Sequence, residues 1–282
     1  MKLRATAADD LPILHELFVG AIADVYRPHG FEPPAPSLDV FAAQQEHLLR
    51  HDGARCVLAL DRGRPVAFAS AWLRGRDWFL ASLFVAASAQ ARGLGTALLD
   101  AVWTDGALRR RTLTDAIQPV SNALYGRRGL VPTTPMLPFH GAPRLIPERR
   151  LAVGDASPAE IAAIDDYAYG FDRVVDHALW AGAGVRTVWA DGERAVAYSY
   201  VFPGGTIGPV AGLDPHTAAG ALRAELDRAD GEVRVRVPGS SRALVACALE
   251  AGLRLLPTPG LLLLSDGVEP PDALAIGGYT LY

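Results

Sequence analysis

Residues 82–97 hold the chain's most informative spacing: an apolar strand ending at Val85, a short loop, then Gln90, Gly93 and Gly95 at the mouth of an amphipathic helix. Backbone N–H groups at a helix start have no intrahelical partner and carry positive partial charge, so they suit phosphate oxygens. Glycine there lets an anion approach the backbone where a Cβ would strike it. Two readings of Q-x-x-G-x-G stand side by side, a cradle for a diphosphate and a strand-to-helix turn whose glycines serve packing. The loop is not a Walker A, because no lysine follows, and Leu98 leaves G-x-G-x-x-G unfinished.

Other chemistry is scarce. His15, His47, His51, His140, His177 and His216 show no metal-ligand spacing with a third ligand nearby, so no metal is expected. Ser88, Ser240 and Ser241 lie outside any G-x-S-x-G context. Cys56 and Cys247 are too few for a disulfide framework or a thiolate metal site, and they read as small buried apolar residues. Trp72, Trp78, Phe79 and Phe84 read as hairpin and strand core, since no basic residues interleave with them. A net charge of −4 over 282 residues argues against nucleic acid. No secretory segment opens the chain and no apolar run reaches the ~18 residues a bilayer requires, so the expectation is a cytoplasmic protein without membrane contact.

The elements that would hold the loop alternate between helix and strand. Asp9 is a plausible N-cap for a helix carrying Leu11, Leu14, Phe18 and Ile22 on one stripe, and a second helix follows the Pro-rich loop His29 to Pro36. The hairpin 56–60/66–72 turns at Asp61 to Arg64 and leads to the strand 78–85. The helix 94–102, a strand at Thr112 to Ile117, a short helix at Asn122 to Arg128 and a last strand at Leu137 to Phe139 complete this half. The order then recurs. Ser157-Pro158-Ala159-Glu160 is a capping box, a second helix spans Val174 to Trp180, and a hairpin turns at Asp191-Gly192. Trp180 and Trp189 are expected in this half's core. A strand at Thr206 to Ala211, a helix at Ala218 to Leu226, a strand at Val233 to Val237 and a helix at Arg242 to Ala251 follow, with Gly252-Leu253 echoing Gly129-Leu130. We read a duplication, with domains 1–146 and 147–282.

Gln90, Gly93 and Gly95, with Tyr125 and Gly129 downstream, resemble the GCN5-related N-acetyltransferase (GNAT) superfamily, whose R/Q-x-x-G-x-G/A loop precedes an N-x-x-A…Y-x-x-x-G-F helix. Leu3-Arg4-Ala5-Thr6 with Asp9-Asp10-Leu11 is similar to the family's opening strand and helix. Two positions depart: Gln118 stands where asparagine is usual and Leu130 replaces phenylalanine. The resemblance implies an α/β (α+β) architecture of two tandem domains, each a mixed, mostly antiparallel sheet flanked by helices. It implies acetyl-CoA as cofactor, with the coenzyme A pyrophosphate on Gln90, Ala91, Arg92, Gly93, Leu94, Gly95 and Thr96. The acyl carbonyl and pantetheine arm would lie against Leu83, Phe84 and Val85, with Gln118 and Tyr125 completing the contacts.

An acetyltransferase of this kind needs a neutral amine, donors for the carbonyl oxygen and a proton for the departing thiolate. Tyr125 is the implied acid, a phenol of pKa near 10 against a thiol near 8.5; the alternative is a packing ring with its hydroxyl in solvent. No carboxylate lies on the strand 78–84 to act as base. His29 and Glu32 are substitutes, each equally readable as loop surface. The second half lacks the equipment: Asp214 would repel a diphosphate, Pro215 removes a donor, and Ala248 falls where Tyr125 would. The expected activity is direct acetyl transfer in a ternary complex to a primary amine of a small molecule or peptide. The alternatives are a non-catalytic acyl-CoA-binding or regulatory module and a pure scaffold. A homodimer is one arrangement open to it.

Overall fold

A computed structural model describes residues 2–33, 35–144 and 151–282 and divides the chain into two units. One comprises Met1–Thr112 with Ile117–Leu130, the other Leu113–Ala116 with Val131–Tyr282. The expected domain boundary, at 146/147, lies in residues 145–150, outside the described residues. No helix in the described residues is long and apolar enough to cross a membrane.

The first unit is built from Lys2–Ala5 (β1), Leu11–Tyr26 (α1), Leu38–Asp52 (α2), Cys56–Asp61 (β2), Arg64–Arg74 (β3), Asp77–Val85 (β4), Leu94–Val102 (α3), Arg109–Asp115 (β5, shared between the units) and Pro119–Gly126 (α4). Its sheet runs β1-β2-β3-β4-β5, antiparallel except for the parallel β4–β5 step. Left-handed Arg62 (φ 49°) and Gly63 (φ 81°) close the β2–β3 hairpin, the pair of positive φ values that a tight turn matched to strand twist demands. Asp9 is not the cap of α1. Asp10 precedes the helix, and its carboxylate is taken by Arg4 at 2.6 and 2.7 Å and by the Ala7 amide at 2.8 Å. On one face of the sheet Leu11, Leu14 and Phe41 of α1 and α2 pack on Leu58 and Phe68, with Phe18 and Phe84 alongside. On α3, Leu98 and Leu99 are fully buried, each stabilising by ~1.5–3 kcal/mol.

The second unit contains Val131–Gly141 (β6), Ala152–Gly154 (β7), Pro158–Tyr169 (α5), Val174–Ala183 (α6), Val185–Asp191 (β8), Arg194–Phe202 (β9), Thr206–Gly212 (β10), Pro215–Asp227 (α7), Val233–Pro238 (β11), Arg242–Glu250 (α8), Arg254–Leu255 (β12), Gly260–Leu264 (β13) and Leu274–Ala275 (β14). The order is β13-β6-β11-β10-β9-β8-β7, antiparallel apart from β10–β11. Each unit is therefore a mixed, mostly antiparallel sheet flanked by helices. The strand expected at Leu137 to Phe139 runs the full length of β6, and its partners are β11, β12 and β13. Ladder pairing extends β6 through Pro132, Pro135 and Pro138, residues that local propensity excludes from a central strand.

The capping box forms as read: the Ser157 hydroxyl accepts from the Glu160 amide and Glu160 accepts from the Ser157 amide at 2.8 Å, while left-handed Gly170 ends α5. Alternation along β9 sets two different faces. Ala197 joins the apolar core under α7 and α8, whereas Tyr198 and Tyr200 meet a buried polar group built from Asp165, Arg173, Asp176 and His177. Trp189 sits in the apolar core and Trp180 beside the polar group. Cys56 and Cys247 are both buried.

Candidate functional site

The loop after β4 begins with one tight turn, Ala87–Ala89, anchored by buried Ala89. Two left-handed residues follow, Ala91 (φ 60°) and Gly93 (φ 76°), before α3 starts at Leu94. Alternation of left- and right-handed backbone at a helix start turns successive N–H groups toward one side, forming an anion-binding concavity. Gly93 caps α3, and its carbonyl takes the Ala97 amide at 3.0 Å. Among the described residues no backbone or side-chain acceptor takes the amides of Ala91 through Thr96. Only Leu94 of these six is buried, so it pins the helix start while the other five remain accessible.

The two glycines do different work. A Cβ on Gly93 would meet nothing, so glycine is needed there for its left-handed φ. A Cβ on Gly95 would lie 3.3 Å from Leu124 and 3.8 Å from Leu83, so that glycine lets α3 close on α4 and β4. The side chains of Gln90 and Arg92 hold the loop's own shape. Gln90 Nε2 donates to the Val85 carbonyl at 3.2 Å, and Arg92 bonds the Ser88 carbonyl at 2.9 Å and the Asp61 carboxylate at 3.3 Å. Asp61 was not legible as a loop partner, since it sits 31 residues away in a hairpin turn.

β4 itself is bulged and then half-paired. Ser70 faces Ser82 and Ala71 faces Leu80, so Ala81 is the extra residue. Pairing with β5 stops at Leu80–Thr112, where the Thr112 hydroxyl donates to the Leu80 carbonyl at 3.0 Å. From Ala81 to Val85 the strand is laddered to β3 alone, with Leu83, Phe84 and Val85 opposite Ala69, Phe68 and Ala67. Sequence reading also missed a buried bridge at the bulge: Ser70 donates to Gln45 of α2 at 3.2 Å, and Gln45 donates to Ser82 at 3.3 Å. A polar residue on the buried stripe of α2 was the available signal.

Tyr125 is buried on α4, 4% exposed, with the Ser121 hydroxyl hydrogen-bonded to it. Burial raises its pKa well above that of a free phenol, with Ser121 acting weakly the other way. Gln118 caps α4, its Oε1 accepting from the Val120 amide at 3.1 Å, and Asn122 donates back to the Gln118 carbonyl at 2.9 Å. Left-handed Gly129 ends the segment and Leu130 is fully buried. α4 starts at Pro119, three residues before the expected Asn122, because the Gln118 cap moves the start upstream. His29 and Glu32 lie exposed between α1 and α2.

The corresponding turn of the second unit, between β10 and α7, is closed by its own chain. The Asp214 side chain accepts from the amides of His216 and Thr217 at 2.7 and 2.9 Å, and Thr217 Oγ1 accepts from the Asp214 amide at 3.1 Å. Gly212 and Leu213 donate to the Ala273 and Val196 carbonyls, and Ala218 to that of Asp214. Proline at 215 has no amide, so every N–H from Gly212 to Ala218 is spent. A Cβ on Gly212 would collide with the Ala218 backbone.

Residues 20–130 match the Acetyltransferase (GNAT) family. Comparison with curated proteins returns no match. A crystal structure of a Pyrococcus horikoshii protein assigned as an acetyltransferase aligns with a TM-score of 0.76 at 18% identity, covering 99% of this chain and 95% of its own. A GCN5-related N-acetyltransferase from Sphaerobacter thermophilus aligns at 0.65 and 18% identity over 95% and 97% of the two chains. A tandem GNAT protein from the clavulanic acid biosynthesis pathway aligns at 0.57 and 14% identity over 95% and 99%. At these identities the structures speak to fold. Residues 20–130 thus carry the family match, and over both units the chain has the fold of these solved proteins, a tandem GNAT protein among them.

Proposed function

We propose that the first unit transfers an acetyl group from acetyl-CoA to a primary amine of a small molecule or peptide, directly and in a ternary complex, and that the second unit takes no cofactor. The observation that carries this reading is the run of unspent amides from Ala91 to Thr96 beside a β4 edge laddered on one side only. Three features support reading the loop as a pyrophosphate cradle: its successive amides have no acceptor among the described residues, its left-handed turn is already set, and Gln90 and Arg92 hold its shape without occupying those amides. The open edge at Leu83, Phe84 and Val85 offers the backbone donors and acceptors that an amide-bearing pantetheine arm needs, and Gln118 lies at the start of the adjoining helix.

Acetyl-CoA supplies a thioester carbonyl and a thiol leaving group. The residues of this chain would do the rest. Backbone N–H of the β4 edge would meet the carbonyl oxygen as it gains charge. Tyr125, which burial keeps protonated at every working pH, would donate toward the departing sulfur. The same burial weakens it as an acid, so much of its contribution is a fixed hydrogen bond to developing charge. The carboxylate of β4, Asp77, is paired with Arg109 and Arg111 at the far end of the strand, and residues 78–85 carry none, so the acceptor reaches the site as the free amine, its proton going to solvent.

Acetyl-CoA should raise the melting temperature, the fold gaining ~2.7 kcal/mol at a hundredfold excess over Kd and more, logarithmically, beyond it. Absence of any shift would leave only a scaffold role. Free-thiol formation across a panel of primary amines then separates an enzyme from a cofactor-binding module: binding without turnover on every amine would favour the module.

A further inference from the structure

Arg236 lies on β11 of the second unit. Val233, Val235 and Val237 point into the core under α7 and α8, so Arg234 and Arg236 occupy the other face by strand alternation. Arg236 is half-buried, yet among the described residues no carboxylate lies within ion-pairing distance of it. Its contacts are the Gly277 carbonyl at 3.4 Å and the ring of Tyr279, 5.9 Å from the guanidinium carbon. Among the described residues only the Gly277 carbonyl accepts from it, so most of the five donors of the guanidinium remain open to solvent or a ligand.

The Tyr279 hydroxyl is the second uncommitted group, with no hydrogen-bond partner among the described residues. It lies over Gly260 of β13, where any side chain would collide with it. The segment carrying it is fixed at both ends. Gly277 packs on the Gly208 backbone so closely that a Cβ would not fit, and the Leu281 and Tyr282 carbonyls are bound by buried Arg173. Tyr279 is therefore held in place before any ligand arrives.

We propose that Arg236 and Tyr279 form a carboxylate-binding site of the second unit, taking a small monocarboxylate. The planar guanidinium matches a carboxylate through two parallel N–H donors, and the phenol adds a third. Burial raises the Tyr279 pKa, with Asp115 acting in the same direction and Arg236 against it, so the hydroxyl stays a donor at neutral pH. Asp115 also repels an anion from its own side, which places the ligand toward Arg236. The site is independent of the cofactor loop and of whether the first unit turns over.

Acetate is the probe, acetamide its neutral counterpart, and the full chain the sample. The Arg236 Nε–H resonance should shift saturably with acetate, with a midpoint on the order of 1–10 mM, and stay unmoved by acetamide. Tyr279→Phe should raise the midpoint about threefold or more, and Arg236→Gln should abolish the melting-temperature gain that acetate gives. A shift that grows linearly without saturating, an equal response to acetamide, or an acetate-dependent gain that survives Arg236→Gln would overturn the site. Both variants alter half-buried groups on an anchored segment; should either fail to fold, the wild-type comparison of acetate with acetamide decides alone.

Discussion

The Asp214 carboxylate takes the Thr217 amide at 2.9 Å at the turn where the first unit leaves its amides open. Helix N-termini favour negative charge, and here the chain provides it internally. Asp214→Ala should therefore cost the second unit about 0.5–2 kcal/mol, as for other lost N-caps. It should not create a coenzyme A site, because the Gly212 and Leu213 amides remain bonded and Pro215 still lacks one. Melting temperature with and without acetyl-CoA checks both parts; a second equivalent of bound cofactor in the variant would contradict them.

Gly93 and Gly95 are separable. Gly93→Ala forces a left-handed φ on alanine, at roughly 1–2 kcal/mol, and relaxation of that strain swings the amides of the loop apart. Affinity for coenzyme A should fall while the fold persists. Gly95→Ala puts a methyl 3.3 Å from Leu124, a contact that side chain can yield to, whereas Gly95→Val should overpack by ~1–3 kcal/mol. Calorimetric titration of coenzyme A beside thermal melts distinguishes loss of affinity from loss of fold.

Much of this architecture is legible in the residues. Ser157 and Glu160 announce their helix by reciprocal capping, and Asp61 to Arg64 their turn by local chemistry. Gly93 and Gly95 locate the loop. The β6 partners were not legible, because three prolines hide the strand and its neighbours β11 and β13 come from the far end of the sequence. The half-paired edge of β4 was equally hidden: where the β5 ladder ends is a property of two strands, not of either one. Arg236 and Tyr279 are 43 residues apart and share no motif, so only their placement in the fold brings them together.

Tyr125→Phe keeps the ring in its buried site and removes the hydroxyl together with its bond to Ser121. If the phenol donates toward the leaving sulfur, kcat should fall about 10²–10⁴-fold while affinity for acetyl-CoA changes little. The wild-type rate should rise with pH along the acceptor amine's own titration and show no tyrosine limb near pH 10, because burial holds the folded phenol above its ordinary range. Steady-state thiol release as a function of pH measures both. An unchanged kcat would return Tyr125 to packing.

Buried phenols also set an alkaline limit on the fold. Tyr125, Tyr169 and Tyr279 are all raised by burial, and Tyr200 is pushed up to about 12, by burial first, with Arg186 opposing and Asp165 adding to the rise. Each binds its proton more tightly folded than unfolded. Below pH 10 both states keep these protons and stability is insensitive to them. Above it the unfolded chain releases protons that the folded chain retains, so stability falls as pH rises from 10 through 12. Tyr200→Phe should make that decline shallower. It should also lower the melting temperature at neutral pH, because the His177 Nδ1 that the Tyr200 hydroxyl meets at 2.9 Å loses its partner. Melting curves taken in steps from pH 8 to pH 12 test this, and a slope equal to wild type would show that Tyr200 titrates alike in both states.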